Sequence, residues 1–292
     1  MARFIPVLIL IVGNIFVWSF AFPDRAFSVS FLDVGQGDAI LIESPTDVQV
    51  LVDGGPDGSV LRGLGKKLSF FDRSIDAVIA THPDQDHIAG LVDVFRRYDI
   101  GVFLEPGVLN DTPVSRALST AVSKEKGVAR VLARRGMRLV LGGGAYADIF
   151  FPDRDVSGVE TNTGSIVMRV VYGDTIFMLT GDSPQSIEKY LISLDTIKCP
   201  KPGCPKPGFR TFEADVLKAG HHGSKTSSSE EFVQAVNPKY VVYSRGCDNR
   251  YGHPAPEVTS LFQRLSITSF DTCTDGTLTF RSDGKTLDIQ GR

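Results

Sequence analysis

The stretch Thr81-His82-Pro83-Asp84-Gln85-Asp86-His87-Ile88-Ala89-Gly90 decides the fold of this chain. Residues 82–87 hold two imidazoles and two carboxylates, all of them strong metal ligands. An apolar, strand-like run (75–80) precedes them, and a helix-like run (88–95) follows. Turns at strand ends present side chains from a rigid scaffold, and closely spaced His and Asp residues are typical of metal sites. The stretch therefore predicts a metal-binding turn between a strand and a helix, rather than histidines that only pack or face solvent.

Length and composition are those of a globular protein. With 292 residues, 42% hydrophobic and 22% charged, the chain has enough apolar material for a packed core. The formal net charge of −3 provides no overall basic field of the kind that binds nucleic acid non-specifically. This counts mildly against tight non-specific DNA binding and says little about a catalytic groove. No low-complexity linker divides residues 26–292, so we expect one domain there.

An apolar run at residues 4–22 predicts that residues 1–25 are a membrane anchor or a signal segment. The run has two polar members and is long for the apolar part of a signal peptide, but just long enough to span a bilayer. Trp18 lies near its end, as interfacial aromatic residues do. Ser19-Phe20-Ala21 offers a possible cleavage pattern, so both outcomes stay open. Either way we expect an extracytoplasmic domain, membrane-anchored or secreted.

The four cysteines fit an exported protein. An even number in that compartment suggests disulfides, most simply Cys199–Cys204 and Cys247–Cys273. A structural zinc site is the alternative, but Cys-x4-Cys without a neighbouring histidine is poor zinc spacing.

The remaining pattern predicts an α/β protein. Short β-branched or apolar runs separated by turn residues predict strands, and residues 166–172 and 175–179 predict a hairpin across Gly173-Asp174. Helices are expected at residues 59–68, 115–136, 185–194, 230–236 and 257–265. Strands cluster early in each half of the chain, which suggests two face-to-face sheets covered by helices. The basic residues of 115–136 indicate a solvated face, with a nucleic-acid surface as the alternative.

Polar turns follow several predicted strands, and together they predict a metal centre. One turn cannot surround two ions, so the ligands must come from separate strand ends. The candidate ligands are His82, Asp84, Asp86, His87, Asp182, His221 and His222, with the choice between His221 and His222 open. Asp182 is the candidate bridge between two divalent ions, which could clamp the attacking and leaving oxygens of a hydrolysis.

Residues 81–87 resemble the His-x-His-x-Asp-His signature of the metallo-β-lactamase superfamily, with Asp84 in the second His position. Residues 31–39, 51–55, 180–182, 221–227 and 251–254 resemble the C-terminal domain of ComEC-type DNA-uptake proteins. The resemblance runs from about residue 27 to residue 290. It implies a four-layer αβ/βα sandwich, preceded here by the N-terminal apolar helix, and a metal-dependent hydrolase that acts as a nuclease.

The chain departs from the superfamily pattern at two places. Asp84 replaces an imidazole, and Thr161-Asn162-Thr163-Gly164-Ser165 stands where a separate histidine precedes the bridging aspartate. Both changes replace nitrogen by oxygen, and harder ligands favour Mn²⁺ or Mg²⁺ over an all-histidine zinc site. We expect two divalent ions, Zn²⁺ or Mn²⁺, and phosphodiester rather than lactam chemistry.

The motifs also suggest residues that support the ligands, bind substrate or take part in catalysis. Asp53 resembles the buried aspartate that orients the ligand turn from behind, and Asp38 is a second candidate for that role. Substrate-binding candidates are Ser224, Lys225, Asn162 and Ser165. The candidate catalytic residues are Asp86, Asp182, His253 and Lys225, with His253 as a proton donor to the leaving oxygen. The alternative for His253 is a structural hydrogen bond.

The sequence thus predicts an extracytoplasmic phosphodiesterase acting on DNA, tethered to the membrane through its N-terminal segment. ComEC-type proteins resemble this domain fused to a many-helix channel, so a separate DNA channel protein is a candidate partner. Alternatives are a hydrolase of another phosphodiester (a nucleotide, or cell-envelope phosphocholine or teichoic acid) and a catalytically silent module of DNA uptake.

Overall fold

A computed structural model describes residues 26–196 and 212–291 of the chain. The strands are β1 (Phe27–Phe31), β2 (Ile40–Glu43), β3 (Gln49–Val52), β4 (Ser74–Ile79), β5 (Asp99–Glu105), β6 (Ala129–Leu132), β7 (Arg138–Gly142), β8 (Ala145–Phe151), β9 (Val167–Tyr172), β10 (Thr175–Leu179), β11 (Val216–Lys218), β12 (Tyr240–Tyr243), β13 (Thr268–Asp271), β14 (Leu278–Ser282) and β15 (Leu287–Gln290). The helices are α1 (Ser59–Lys67), α2 (Gln85–Arg97), α3 (Pro113–Lys124), α4 (Gln185–Thr196), α5 (Glu230–Val236), α6 (Pro256–Arg264) and α7 (Thr272–Asp275). Short 3-10 turns lie at Asn162–Gly164 and Gly220–Gly223.

Two sheets form the centre of the molecule. The first has the strand order β15-β14-β1-β2-β3-β4-β5-β6, and the second has the order β13-β12-β11-β10-β9-β8-β7. Side chains from both sheets pack against each other between them, among them Phe31, Ile79, Phe177, Val242 and Phe280. This inter-sheet core excludes water from the inner face of each sheet, which accounts for the apolar alternation in the strands.

Helices cover the outer faces of both sheets. Leu64 of α1, Leu91 of α2 and Leu118 of α3 pack on the first sheet. Leu191 of α4, Phe232 of α5 and Phe262 of α6 pack on the second. The result is a helix–sheet–sheet–helix arrangement, which confirms the four-layer αβ/βα sandwich.

Strand direction gathers the functional loops at one edge. Strands β1, β3, β4, β5 and β6 run the same way, because β2 is antiparallel to both β1 and β3 while the others pair in parallel. In the second sheet β10 to β13 are parallel. The loops that leave the carboxyl ends of β1, β3, β4, β10, β11 and β12 meet at what we call the site edge. The first-sheet strands β1, β3 and β4 begin at the opposite edge, which we call the far edge.

One helix prediction was wrong in extent. Helix α3 ends at Lys124, and the predicted continuation to residue 136 is instead a turn followed by strand β6. Gly127 adopts a φ of +88°, which a continuing helix does not allow. The backbone of β6 then pairs with β5, so the basic residues of this stretch do not share one helical face.

The disulfide Cys247–Cys273 is present, as predicted. Cys199 and Cys204 lie outside the described residues, as does the apolar run at residues 4–22. Among residues 26–196 and 212–291, no helix is both long and apolar enough to cross a membrane.

Candidate metal centre

Four imidazoles converge on one carboxylate oxygen at the site edge. Asp182 Oδ2 lies 3.3 Å from His87 Nε2, 3.4 Å from His222 Nε2, 3.6 Å from His221 Nε2 and 3.9 Å from His82 Nε2. Nitrogen and oxygen atoms that share a cation at about 2.0–2.2 Å lie at such mutual distances. Asp182 thus occupies the position expected of a bridging ligand.

Hydrogen bonds set the orientation of the ligand turn that follows β4. His87 Nδ1 lies 2.8 Å from Asp53 Oδ2, and the Thr81 hydroxyl donates to the same carboxylate oxygen. The Thr81 oxygen in turn lies 3.1 Å from His82 Nδ1. When both imidazoles carry their proton on Nδ1, each leaves Nε2 free to bind a metal. His82 Nε2 is buried without a hydrogen-bond partner, which fits a metal ligand.

The second histidine pair lies on a strained turn after β11. His221 and His222 have φ values of 50° and 56°, in the left-handed region that residues other than glycine rarely adopt. This backbone points both rings at Asp182. His222 Nδ1 lies 2.8 Å from the Ser244 carbonyl oxygen, to which it donates, so its Nε2 faces the cluster. His222 is buried, whereas the side chain of His221 is 28% exposed.

Two further carboxylates stand at the mouth of the cluster. Asp84 Oδ2 lies 3.7 Å from His82 Nε2, and Asp86 Oδ2 lies 3.3 Å from His222 Nε2. Their side chains are 33% and 30% exposed. Together with His221 they form the open face of the site, since the other imidazoles and Asp182 are buried. A substrate therefore reaches the centre across Asp84, Asp86 and His221.

A close backbone approach holds the ligand turn against the loop after β1. Gly37 has a φ of +127°, and a Cβ there would lie 2.0 Å from the carbonyl oxygen of Asp86. The Asp38 backbone N–H donates to that same carbonyl oxygen, and Ser244 Oγ donates to the Gly37 carbonyl oxygen. Only glycine fits beside the Asp86 carbonyl oxygen, and the hydrogen bond from Ser244 joins this loop of the first sheet to the second sheet.

A buried lysine lies behind the ligands. Asp38, His87, Asp182 and His222 offer ligand atoms that all lie within 4.8 Å of one another. Asp38 Oδ2, however, accepts a hydrogen bond from Lys218 Nζ at 2.6 Å, and its carboxylate lies nearer the Nδ1 atoms of the two imidazoles. Lys218 Nζ is also 3.3 Å from Asp182 Oδ1. We therefore place Asp38 behind the metal ligands, as a partner of Lys218.

The electrostatics of the cluster favour ionised Asp182 and Asp86, whereas burial raises the pKa of Asp84. Burial alone would raise the pKa of Asp182, but the positive charges of His222, His87 and Lys218 outweigh it and hold the pKa well below the usual value. Burial also opposes ionisation of Asp86, yet the hydrogen bond with His222 and the charge of His87 lower its pKa to about 2. Both groups are therefore anionic ligands at neutral pH.

Two of the residues predicted to bind substrate, Ser165 and Asn162, lie on the loop that stands where a separate histidine was expected. Ser165 is fully buried and its Oγ accepts a hydrogen bond from the Asp182 backbone N–H. Asn162 Oδ1 is buried without a partner, and the Thr161 hydroxyl contacts the carboxylate of Asp84. The loop in place of the expected histidine thus supports Asp84 and Asp182 with oxygen-bearing side chains.

The other two residues predicted to bind substrate, Ser224 and Lys225, lie on the turn after the two histidines. Ser224 is buried and its hydroxyl lies 3.0 Å from Thr226 Oγ1. Lys225 is exposed and lines a separate cavity of about 430 Å³ together with Gln185 and Lys189.

His253 lies at the rim of the site. Its ring centroid is 5.7 Å from that of His221 and 5.7 Å from that of Tyr251, with which it stacks. Its Nδ1 is buried without a hydrogen-bond partner. Burial and the nearby charges of His221 and His222 lower the pKa of His253 to about 4. In the free protein this imidazole is neutral at pH 7.

A cavity of about 410 Å³ adjoins the centre at His82 and Pro83. Ile88, Phe103 and Leu118 line its apolar part. Its polar rim consists of Glu105, Asn110, Asp111, Ser115, Arg116, Ser119 and Arg130. Arg130 of β6 and Arg116 of α3 are ion-paired with Glu105 and Asp111. Part of the basic stretch at 115–136 thus lies beside the metal centre.

The motifs did not point to Lys218, Thr81 or Ser244. A charged residue directly after the apolar pair Val216-Leu217 was the available signal for Lys218, because lysine is rarely fully buried without a partner. Thr81 orients His82 through its hydroxyl, and Ser244 orients His222 through its backbone carbonyl. Neither residue stands at a sequence spacing that marks a metal site.

We expect metal binding to release protons. Burial lowers the pKa of His87 and His222, but the charges of Asp182, of Asp53 beside His87 and of Asp38 beside His222 outweigh it and hold both pKa values well above 6.5. The two Nε2 atoms are 3.3 Å apart, so the metal-free pair shares at least one proton at pH 7. A metal ion requires neutral imidazoles, so its affinity should fall as pH decreases through these raised values.

Calorimetric Mn²⁺ or Zn²⁺ titrations at pH 7 in buffers of different ionisation enthalpy measure this release. About one or more protons per binding event are expected, and fewer in the His222→Ala variant. A binding heat that does not depend on the buffer would contradict the expectation.

Comparisons with known proteins agree with this geometry. A model of the metallo-β-lactamase superfamily matches residues 32–246, most of the chain. ComE operon protein 3 of Bacillus subtilis (strain 168) is 31% identical over 271 residues, which are 87% of this chain and 33% of that protein. Competence protein ComA of Neisseria gonorrhoeae is 27% identical, over 94% of this chain and 35% of its own length. The chain thus spans about a third of the length of these curated relatives.

Solved structures agree on the fold. CmlA, a diiron β-hydroxylase from Streptomyces venezuelae, superposes with a TM-score of 0.54 and 16% identity, over 88% of this chain and 54% of that one. At that identity the likeness concerns the fold alone. With the sandwich, the buried Asp and His cluster and the family match in agreement, this chain belongs to the metallo-β-lactamase superfamily.

Proposed function

We propose that this protein is a metal-dependent phosphodiesterase that cleaves DNA outside the cytoplasm. The observation that carries the proposal is the convergence of four imidazole Nε2 atoms on Asp182 Oδ2. His82, Asp84 and Asp182 would hold one ion, and Asp86, His87 and His222 would hold a second that shares Asp182. Divalent ions bound there would supply Lewis-acid activation of water and phosphoryl oxygen.

The ligand set supports phosphate chemistry. Asp84 and Asp86 bring carboxylate oxygen to the open face, and Thr161 and Asn162 stand in place of a further imidazole. Oxygen-rich sites suit Mn²⁺ as well as Zn²⁺ and accept phosphate oxygens readily. The relative named Competence protein ComA supports DNA as the phosphodiester. The 410 Å³ cavity beside Pro83 has room for a nucleoside next to the cleaved bond.

The protein's own residues would orient the substrate and handle its protons. Neutral His253 stands beside His221 at the rim, where it can accept a hydrogen bond in the free protein. The negative charge of a bound phosphodiester raises the pKa of a neighbouring imidazole, so His253 would take up a proton on binding and donate it to the leaving oxygen. Lys225, on the exposed turn after His222, would neutralise DNA backbone charge.

Location and partners complete the proposal. The apolar run at residues 4–22 would hold the protein on the outer side of the membrane. A DNA channel protein would act with it and carry the strand that is not degraded.

A nuclease assay on the purified full chain tests the proposal. Single- and double-stranded DNA, bis-p-nitrophenyl phosphate and a phosphocholine polymer are incubated with Mn²⁺, Zn²⁺ or EDTA. DNA cleavage with metal, abolished by EDTA and by His82→Ala, is the expected result. Hydrolysis of the other diesters without DNA cleavage would identify a different phosphodiesterase. DNA binding without bound metal or hydrolysis would identify a silent module instead.

A further inference from the structure

Two phenylalanines project into solvent from a tight turn between α1 and β4. The Asp72 backbone N–H donates to the Ser69 carbonyl oxygen at 2.9 Å, so Phe70 and Phe71 are the central residues of a β-turn. Phe70 is 76% exposed and Phe71 is 86% exposed. Their rings contact each other at a centroid distance of 5.3 Å, and the Arg73 guanidinium lies 5.4 Å from the Phe70 centroid. Such an apolar pair at a turn tip contributes little to the core and indicates a contact outside the domain.

The turn lies on the far edge, close to where the chain enters the domain. Asp72 Oδ2 accepts a hydrogen bond from Gln49 Nε2 at 2.6 Å. Gln49 pairs with Glu43, and Glu43 pairs with Ser28 near the start of β1. Two strand spacings are about 10 Å. The Phe70–Phe71 turn and the start of β1 are therefore neighbours on one edge.

The sequence places an apolar segment directly before this point. Four residues, 23–26, separate the end of the apolar run at residue 22 from the start of β1 at Phe27. Five extended residue steps reach at most about 17 Å. A bilayer that contains the run therefore lies within reach of the far edge.

We propose that the Phe70–Phe71 turn inserts into the interfacial layer of the bilayer that holds the N-terminal run, and that the far edge rests on this surface. The inference requires the run to remain in the bilayer, as in the proposed function. Aromatic side chains favour the interface, and basic side chains beside them contact lipid phosphates. Lys66, Lys67 and Arg281 line a cavity of about 390 Å³ beside Ala26, together with Glu43 and Asp47.

This orientation fixes where the metal centre faces. Strand β4 runs from the Phe70–Phe71 turn to the ligand turn and has six residues, about 20 Å in length. The site edge therefore points away from the lipid, so that a polyanionic substrate approaches from the aqueous side. Contact through the turn would keep the domain from rotating freely on its four-residue linker.

Fluorescence quenching in lipid vesicles tests the insertion. The full chain carries its single tryptophan at position 18. It is reconstituted as Trp18→Phe/Phe71→Trp in vesicles of phosphatidylethanolamine and phosphatidylglycerol with brominated acyl chains. The matched control is Trp18→Phe/Leu109→Trp, because Leu109 is 78% exposed and lies beside the metal centre on the site edge. We expect the indole at position 71 to be quenched severalfold more strongly than the one at position 109.

Equal quenching at the two positions would overturn the proposal. A blue shift at position 71 without bromine quenching would also overturn it, since it would indicate contact with a second copy of the chain. Trp18 in the unaltered chain reports separately whether the N-terminal run is in the bilayer, and an unquenched Trp18 would overturn the inference. Hydrolysis of a soluble diester by Phe70→Ser/Phe71→Ser should equal that of the unaltered chain, so the nuclease assay and this test fail independently.

Discussion

Replacing Asp182 by asparagine is expected to remove metal binding and activity together. Its Oδ2 atom is the common neighbour of all four cluster imidazoles, so one neutral amide deprives both proposed ions of an anionic ligand. Loss of an outer partner of a metal ligand already costs about 10–100-fold in affinity, so we expect at least about 100-fold here. Hydrolysis should fall by about 10³-fold or more, which corresponds to about 4 kcal/mol in the barrier.

Metal analysis after dialysis, combined with the phosphodiesterase assay, measures both effects. Asp215→Asn is the matched control, because Asp215 precedes β11 at the end away from the site and its carboxylate pairs with Lys239. That variant should retain its metal and its activity. If Asp182→Asn bound metal as tightly as Asp215→Asn, Asp182 would not be the bridging ligand.

Replacing Lys218 by methionine is expected to produce the largest loss of stability. The lysine is fully buried between Asp38 and Asp182, and burial, which alone would lower its pKa, is outweighed by these two carboxylates, which raise it. Removing the ammonium leaves two buried carboxylates with only the neighbouring imidazoles to balance their charge. Breaking a buried ion pair in this way typically costs about 3–5 kcal/mol. We expect a decrease of that size in the unfolding free energy of the metal-free protein.

Chemical denaturation in EDTA measures this loss, and Lys239→Met serves as the control. Lys239 pairs with Asp215 at 2.9 Å but is 73% exposed, so its removal should cost less than about 1 kcal/mol. Adding Asp38→Asn to Lys218→Met should restore part of the stability, because it removes one of the buried negative charges that Lys218 balanced. Equal losses in Lys218→Met and Lys239→Met would show that the ammonium does not hold the cluster together.

Local patterns predicted most of the fold. The hairpin at 166–179 and the helices beginning near residues 59, 185, 230 and 257 follow from periodicity, turn residues and helix starts that act within a few residues. Residues 115–136 were the exception. Helix α3 stops at Lys124 because Gly127 turns the chain, and β6 forms because the edge of β5 is available for pairing. A helical pattern in the sequence carries no information about a neighbouring strand.

The clustering of the candidate ligands could be predicted for a similar reason. Two histidines and two aspartates within residues 82–87 are close because they are neighbours in sequence, and the order of the motifs added Asp182 and the His221-His222 pair. Which of His221 and His222 is buried in the cluster and which lies at its open face could not be predicted. His222 is buried and bonded to Ser244, whereas His221 is partly exposed, and this difference depends on how two sheets meet.

The sequence by itself determined that histidines and aspartates suited to metal binding lie together on a turn after a strand, because they are neighbours along the backbone. Only the tertiary structure decided which charges balance them. Lys218 meets Asp38 across the two sheets, at a separation no local pattern encodes. The physical reason is desolvation: three charges leave water together only where packing brings opposite signs within hydrogen-bond distance.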